Sequence, residues 1–241
     1  MNNISQAQAF VERWQGSSAS ELSTAQSFVR ELCELLGVDV PHPTPEQSYM
    51  FERPITFSHG DGSSSAGRID CYKRGHFVLE SKKLKAPSHT KGFDDALLRA
   101  RAQAEGYARA LPAGEGRPPF LLVVDVGNVI ELYAEFTRSG ATYTPFPDPR
   151  SHRLPLASLL DETVRQRLKS IWLEPESLNP TRASARVTRL VAAQLAELAK
   201  SLEQSGHSAN HVASFLTRCL FSMFAEDVEL PPCVRLVVAP S

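Results

Sequence analysis

Two hydrophobic rhythms run along the chain, and the change between them marks its organisation. From Ile4 to Gln15, and again from about Ser20 to Leu36, apolar residues recur at helical spacing, with Phe28, Leu32, Leu35 and Leu36 on one stripe. Two helices are predicted there, the second stopped by Gly37. VPHPTPEQ then places three prolines within five residues, which makes a loop. The rhythm next becomes strand-like. YMFERPITF carries Pro54 in its middle, so it is expected as an edge strand or as two short ones. HGDGSSSAG reads as a loop. RIDCY and HFVLESK read as two strands joined by the turn KRG. Helical spacing returns from Phe93 to Leu111, in a segment rich in alanine and arginine. FLLVVDV is almost wholly apolar, as a central strand buried on both faces should be. NVIELYA follows it across a turn at Gly127–Asn128.

The order helix, strands, helix, strand, strand predicts an α/β fold with a mixed sheet, because the Phe93–Leu111 helix has to cross over between sheet strands. After Phe136 the pattern lapses. Residues 137–155 contain four prolines and no period, and are expected as a linker. Beyond them everything is helical: roughly Leu156–Trp172, Ala183–Gln204 and Asn210–Val228. The expected division is a first domain over residues 1–136, the linker 137–155, a helical unit over 156–231 and an irregular tail over 232–241.

Composition changes this picture little. The 241 residues are 42% hydrophobic and 22% charged, ordinary values for a globular protein. Net charge is −1, so the whole chain does not announce a nucleic-acid binder. The charge is uneven, however: between Arg68 and Arg109 stand ten Lys or Arg against five Asp or Glu. Cys33, Cys71, Cys219 and Cys233 form no CxxC pair and have no histidine at zinc-ligand spacing. This usage suits reduced thiols and a cytoplasmic protein. The first residues have no basic segment followed by an apolar run. The most apolar stretch, Val212–Phe224, is interrupted by Arg218 and is too short to span a bilayer, so no membrane association is expected.

The chemistry concentrates on the Arg68–Lys82 hairpin. Side chains alternate faces along a strand. One face is expected to hold Ile69, Cys71, Phe77 and Leu79, and the other Arg68, Asp70, Tyr72, Val78, Glu80 and Lys82. Keeping the apolar residues together sets Asp70 opposite Glu80, with Gly75 at the centre of the turn supplying positive φ. Like charges placed opposite one another in a sheet are destabilising. Lys82 balances one of them, and a divalent cation would balance both. Hard oxygen donors suit Mg²⁺, with Mn²⁺ as a substitute. The backbone carbonyl of Ser81 is a candidate further ligand. Two carboxylates, a cation and a lysine suffice for phosphodiester hydrolysis: the lysine positions or deprotonates water, or stabilises developing charge. Gln103 and Tyr107 lie one turn apart on the following helix and can hydrogen-bond phosphate or base edges. Lys83 and Lys85, next along the chain, are candidate DNA contacts.

GRIDCYKRGHFVLESKK followed by QAEGY resembles the N-terminal nuclease domain of MmeI-like (type IIL) restriction–modification enzymes and of related phage-defence methyltransferases. The likeness runs over about residues 4–231. SELSTAQSFVRELCELLGV is similar to that family's first helix, PPFLLVVDVGNVIELYAEFT to its closing strands, and NPTRASARVTRLVAAQLAELAKSLEQSGHSANHVASFLTRCLFSMFAEDVELPP to its helical spacer. The resemblance implies a PD-(D/E)XK restriction-endonuclease-like fold followed by a small all-α spacer. It also implies metal-binding acids at Asp70 and Glu80, a catalytic lysine at Lys82, the QxxxY motif at Gln103 and Tyr107, and an additional acid at Glu21. Such enzymes continue into an adenine methyltransferase domain that binds S-adenosylmethionine and then a target-recognition domain. No NPPY motif and no S-adenosylmethionine site are found in this sequence, so these functions are expected to be missing unless another chain supplies them in trans, and the tail after Leu230 suggests a truncated gene or an artificial end.

The expected function is therefore a Mg²⁺-dependent DNA endonuclease module of a restriction or phage-defence system. The competing expectations are a non-catalytic DNA-binding or docking subunit, or a remnant of such an enzyme, and an exonuclease of the RecB kind, which shares the chemistry but not the spacer.

Overall fold

The computed structural model describes residues 3–15, 21–84 and 90–227. Two compact units divide the chain after Asn179.

The first unit opens with α1 (Asn3–Trp14) and α2 (Glu21–Leu36). A sheet follows: β1 (Tyr49–Ser58), β2 (Ser64–Lys73), β3 (Phe77–Lys82), then α3 (Lys91–Ala110), β4 (Phe120–Asp125) and β5 (Val129–Ala134). The strand order is that of the sequence. β1, β2 and β3 form an antiparallel meander, β3 and β4 are parallel, and β4 and β5 are antiparallel. The single parallel pair is the one bridged by α3, so the helix is the expected crossover. Thr90 caps α3, its hydroxyl accepting from the Phe93 N–H.

Residues 137–155 are more than the linker their prolines suggested. β6 (Thr144–Pro145) and β7 (Arg153–Pro155) both add to β5. The helix α4 (Glu162–Leu173), expected in a separate helical unit, buries Leu168, Ile171 and Trp172 in the first unit's core. Two- and three-residue strands ending in proline are too short to show a period of two, which is why the sequence hid them.

The sheet has an apolar layer on each face. On one, α1, α2 and α4 pack Phe10, Trp14, Phe28, Leu32 and Trp172 onto Phe77, Phe120 and Leu122. On the other, α3 packs Phe93, Leu97, Ala100 and Ala104 onto Val78, Leu121 and Val123. β4 is buried at every residue, as its sequence required.

The second unit is the helical pair α5 (Pro180–Gln204) and α6 (Ala209–Asp227). The two helices pack on each other but leave Val187, Leu190, Leu198, Phe215 and Phe221 exposed. Among the described residues, no helix is long and apolar enough to cross a membrane.

Candidate active site

The hairpin of β2 and β3 adopts the expected register. Cys71 pairs with Leu79, Tyr72 with Val78 and Lys73 with Phe77, around Gly75 at φ 73°. Pairing ends at Cys71–Leu79, one step short of Asp70 and Glu80. There the strands part, and the Asp70 side chain enters the gap in place of a backbone acceptor. The Ser81 N–H donates to Asp70 Oδ2 at 2.7 Å and the Ser81 hydroxyl donates to the same oxygen at 2.6 Å. The carbonyls of His76 and Lys82 accept from β4 and the residue that follows it. Along an extended strand N–H and C=O of one residue leave by the same edge, alternating with the next. The Ser81 carbonyl therefore faces the gap, beside Asp70.

β1 and β2 break in step at the same level. Phe51 pairs with Cys71 and Arg53 with Ile69, but Glu52 and Asp70 between them are unpaired. The register is unchanged across the break, so no residue is inserted. The strands instead turn over. Tyr49, Phe51 and Cys71 lie in the core layer beneath α1 and α2, whereas Ile55, Phe57 and Ile69 lie in the layer beneath α3. Ile69 was expected to share a face with Cys71, and strict alternation fails at this level, where the neighbouring strand holds Glu52 at φ 50°. For a residue with a Cβ the left-handed region costs about 1–2 kcal/mol.

The result is a cleft lined by Ala25, Gln26 and Val29 of α2, by Phe51, Glu52, Asp70 and Cys71, by Leu79–Lys82 of β3, and by Gln103 of α3. Its floor is Glu80, only 1% exposed. Lys82 Nζ donates to Glu80 Oε1 at 2.7 Å, and Glu80 Oε2 is buried with no hydrogen-bond partner. Burial, reinforced by the charge on Asp70, pushes the Glu80 carboxyl up to about 7 despite the hydrogen bond from Lys82. Burial and Asp70 also raise Glu52, against the opposing influence of Arg68.

Polar contacts continue outward from Lys82. Its ammonium lies 3.4 Å from Gln103 Oε1, and Gln103 Nε2 donates to the Tyr107 hydroxyl at 2.9 Å. Tyr107 is seated against Phe57 at Gly67, where a Cβ would stand 2.9 Å from both rings. So Asp70, Glu80, Ser81, Lys82 and Gln103 are brought to one cleft, with Tyr107 adjoining through Gln103. Lys83 is turned elsewhere: its ammonium donates to the Val126 carbonyl. Lys85 and the side chain of Glu21 lie outside the described residues. The sequence reading missed Glu52. The available signal was an acid within a strand-like run, two residues before a proline.

Mg²⁺ is commonly held by one or two carboxylates while keeping several waters. Among the described residues no group of three or more His, Cys, Asp or Glu is placed to hold a metal ion together. Asp70, the unpartnered Glu80 Oε2 and the Ser81 carbonyl meet the smaller requirement.

A family model described as MmeI, N-terminal domain, matches residues 3–205. No curated protein matches the chain, and no solved structure does. The chain belongs to this family and is a restriction-enzyme-related domain.

Proposed function

We propose that this member of the MmeI N-terminal domain family is a Mg²⁺-dependent DNA endonuclease module that hydrolyses phosphodiester bonds. The observation that carries the reading is Glu80 Oε2: a buried carboxylate oxygen with no partner, beside Asp70 and within reach of Lys82. An unsatisfied buried acceptor costs roughly 1–3 kcal/mol, and a bound cation is the group that would satisfy it.

Asp70 and Glu80 hold the cation in this reading, with the Ser81 carbonyl beside them. When bound, the cation polarises the scissile phosphate and favours ionisation of water at neutral pH. Ser81 fixes the Asp70 carboxylate through its N–H and hydroxyl. Lys82 orients the attacking water and stabilises charge on the phosphate, and Gln103 steadies the ammonium from above. DNA reaches the cleft past Gln103 and Tyr107, with Lys85 as a further contact. Placement in a restriction or phage-defence system belongs to the same proposal.

The test is nicking of supercoiled plasmid by the purified chain with Mg²⁺, with EDTA and Lys82→Ala as controls. Metal-dependent nicking that disappears in the variant is the expected result. Nicking that persists in Lys82→Ala would sink the assignment. A second reading, a docking subunit without catalysis, is favoured by the exposed apolar residues of α5 and α6. It predicts DNA binding or partner capture that is indifferent to Asp70→Ala and no nicking under any divalent cation.

A further inference from the structure

Glu52 meets Asp70 where the β1–β2 ladder is interrupted, and two unfavourable features coincide there. A glutamate occupies the left-handed region at φ 50°, where glycine would be the unstrained choice. Its carboxylate also lines the cleft that Asp70 and Glu80 already make acidic. Of these acids, Glu80, which lines the same cleft and is 1% exposed, is balanced at one oxygen by Lys82 and has no hydrogen-bond partner at the other. The reversal of faces at this level accounts for an irregular backbone but not for a charge, since a neutral residue would keep the same register on both sides.

We propose that Glu52 is a third carboxylate of this centre, reaching the divalent cation held by Asp70 and Glu80 through intervening water. It acts from β1, across the cleft from Lys82. A water-mediated role is the one compatible with three acids that line one cleft while, among the described residues, no group of three is placed to hold a metal ion together. Mg²⁺ releases its waters reluctantly, so a carboxylate at that remove orients coordinated water and adds negative charge without displacing any. Glu52 is thus a positioning residue, and the inference rests on the reading of the cleft as a cation centre.

The experiment is calorimetric titration of Mn²⁺ into the metal-free full chain, comparing wild type, Glu52→Gln, Glu52→Gly and Asp70→Asn, each with a melting curve. Gln keeps the shape and the φ requirement of Glu52. It is expected to weaken Mn²⁺ binding 10- to 100-fold, the usual effect of losing a partner beyond the direct ligands, while leaving the metal-free melting temperature unchanged or higher. Gly is expected to weaken binding equally and to raise the melting temperature, because it relieves the left-handed strain. This separates charge from backbone and serves if the Gln variant folds poorly. Asp70→Asn should lose binding almost completely. Wild-type affinity in both Glu52 variants, with binding lost in Asp70→Asn, overturns the role of Glu52 and leaves the cation centre standing. Absence of Mn²⁺ binding by the wild-type chain overturns both.

Discussion

Two glutamates flank Val123 in one row across the sheet, Glu80 on β3 and Glu131 on β5. Each is 1% exposed. Adjacent strands are about 5 Å apart, so the two stand roughly 10 Å from one another on the same face of the sheet. Their surroundings differ. Arg153 Nε donates to Glu131 Oε1 at 2.7 Å, and the Tyr133 hydroxyl donates to Oε2 at 2.8 Å. Both oxygens of Glu131 are satisfied by the chain. Glu80 has Lys82 on one oxygen and nothing on the other. Equal burial on one sheet therefore does not make equal roles. A carboxylate the fold completes is structural, and one it leaves half complete is an invitation to a ligand.

The contrast can be broken or sharpened by experiment. Lys82→Ala should lower plasmid nicking by about 10³-fold, the scale on which positioned acid–base and charge-stabilising groups act, in a chain that still folds. Arg153→Met should do the opposite. It leaves the buried Glu131 with only the Tyr133 hydroxyl and His152, 3.9 Å from Oε1, beside it, at a cost of about 2 kcal/mol in urea unfolding, less than for a fully buried pair because Arg153 is partly exposed, while Mn²⁺ affinity stays that of the wild type. If Arg153→Met removed cation binding and left stability alone, the division between the two glutamates would be lost.

A third test reads Glu80 through pH. Its carboxyl is raised in the fold from the ordinary 4.5 to about 7, so the native state favours the protonated form. The associated stability is fully present below about pH 4.5 and is lost as pH rises through about 7. In the metal-free chain the difference in unfolding free energy between wild type and Glu80→Gln should shift by about 3 kcal/mol across that window, against the wild type at the higher pH. A difference that stays flat from pH 4 to 8 would refute the raised carboxyl. The smallest expected effect is that of Tyr107→Phe. Losing the hydroxyl that receives Gln103 should slow nicking severalfold and cost about 1 kcal/mol or less in stability.

Much of this was legible in the residues. The Asp70-to-Lys82 hairpin, its turn at Gly75 and its register followed from keeping apolar positions together, since a slip of one residue would expose them. The crossover by α3 followed from the unbroken apolar run of β4. Glu52 did not follow, because a left-handed glutamate leaves no periodic trace and its partnership with Asp70 exists only after β1 has been aligned on β2. The reversal of faces that carries Ile69 away from Cys71 was hidden for a related reason: it occurs where the β1–β2 ladder is interrupted, and strict alternation assumes a regular strand. The turn of Lys83 towards Val126 was equally out of reach, being set by where the β4–β5 connection passes.

β1 is the outermost strand of its sheet, ten residues long and, among the described residues, bordered on one side by no other strand. Such an edge is a template on which a second chain can add and start a polymer. Here Pro54 removes one amide donor from the row, and two residues earlier Glu52 takes the backbone out of the extended conformation. An incoming strand would lose its ladder at both points. The irregularity that shapes the cleft thus also guards against aggregation, and replacing Glu52 and Pro54 together with strand-forming residues would trade a working edge for a sticky one.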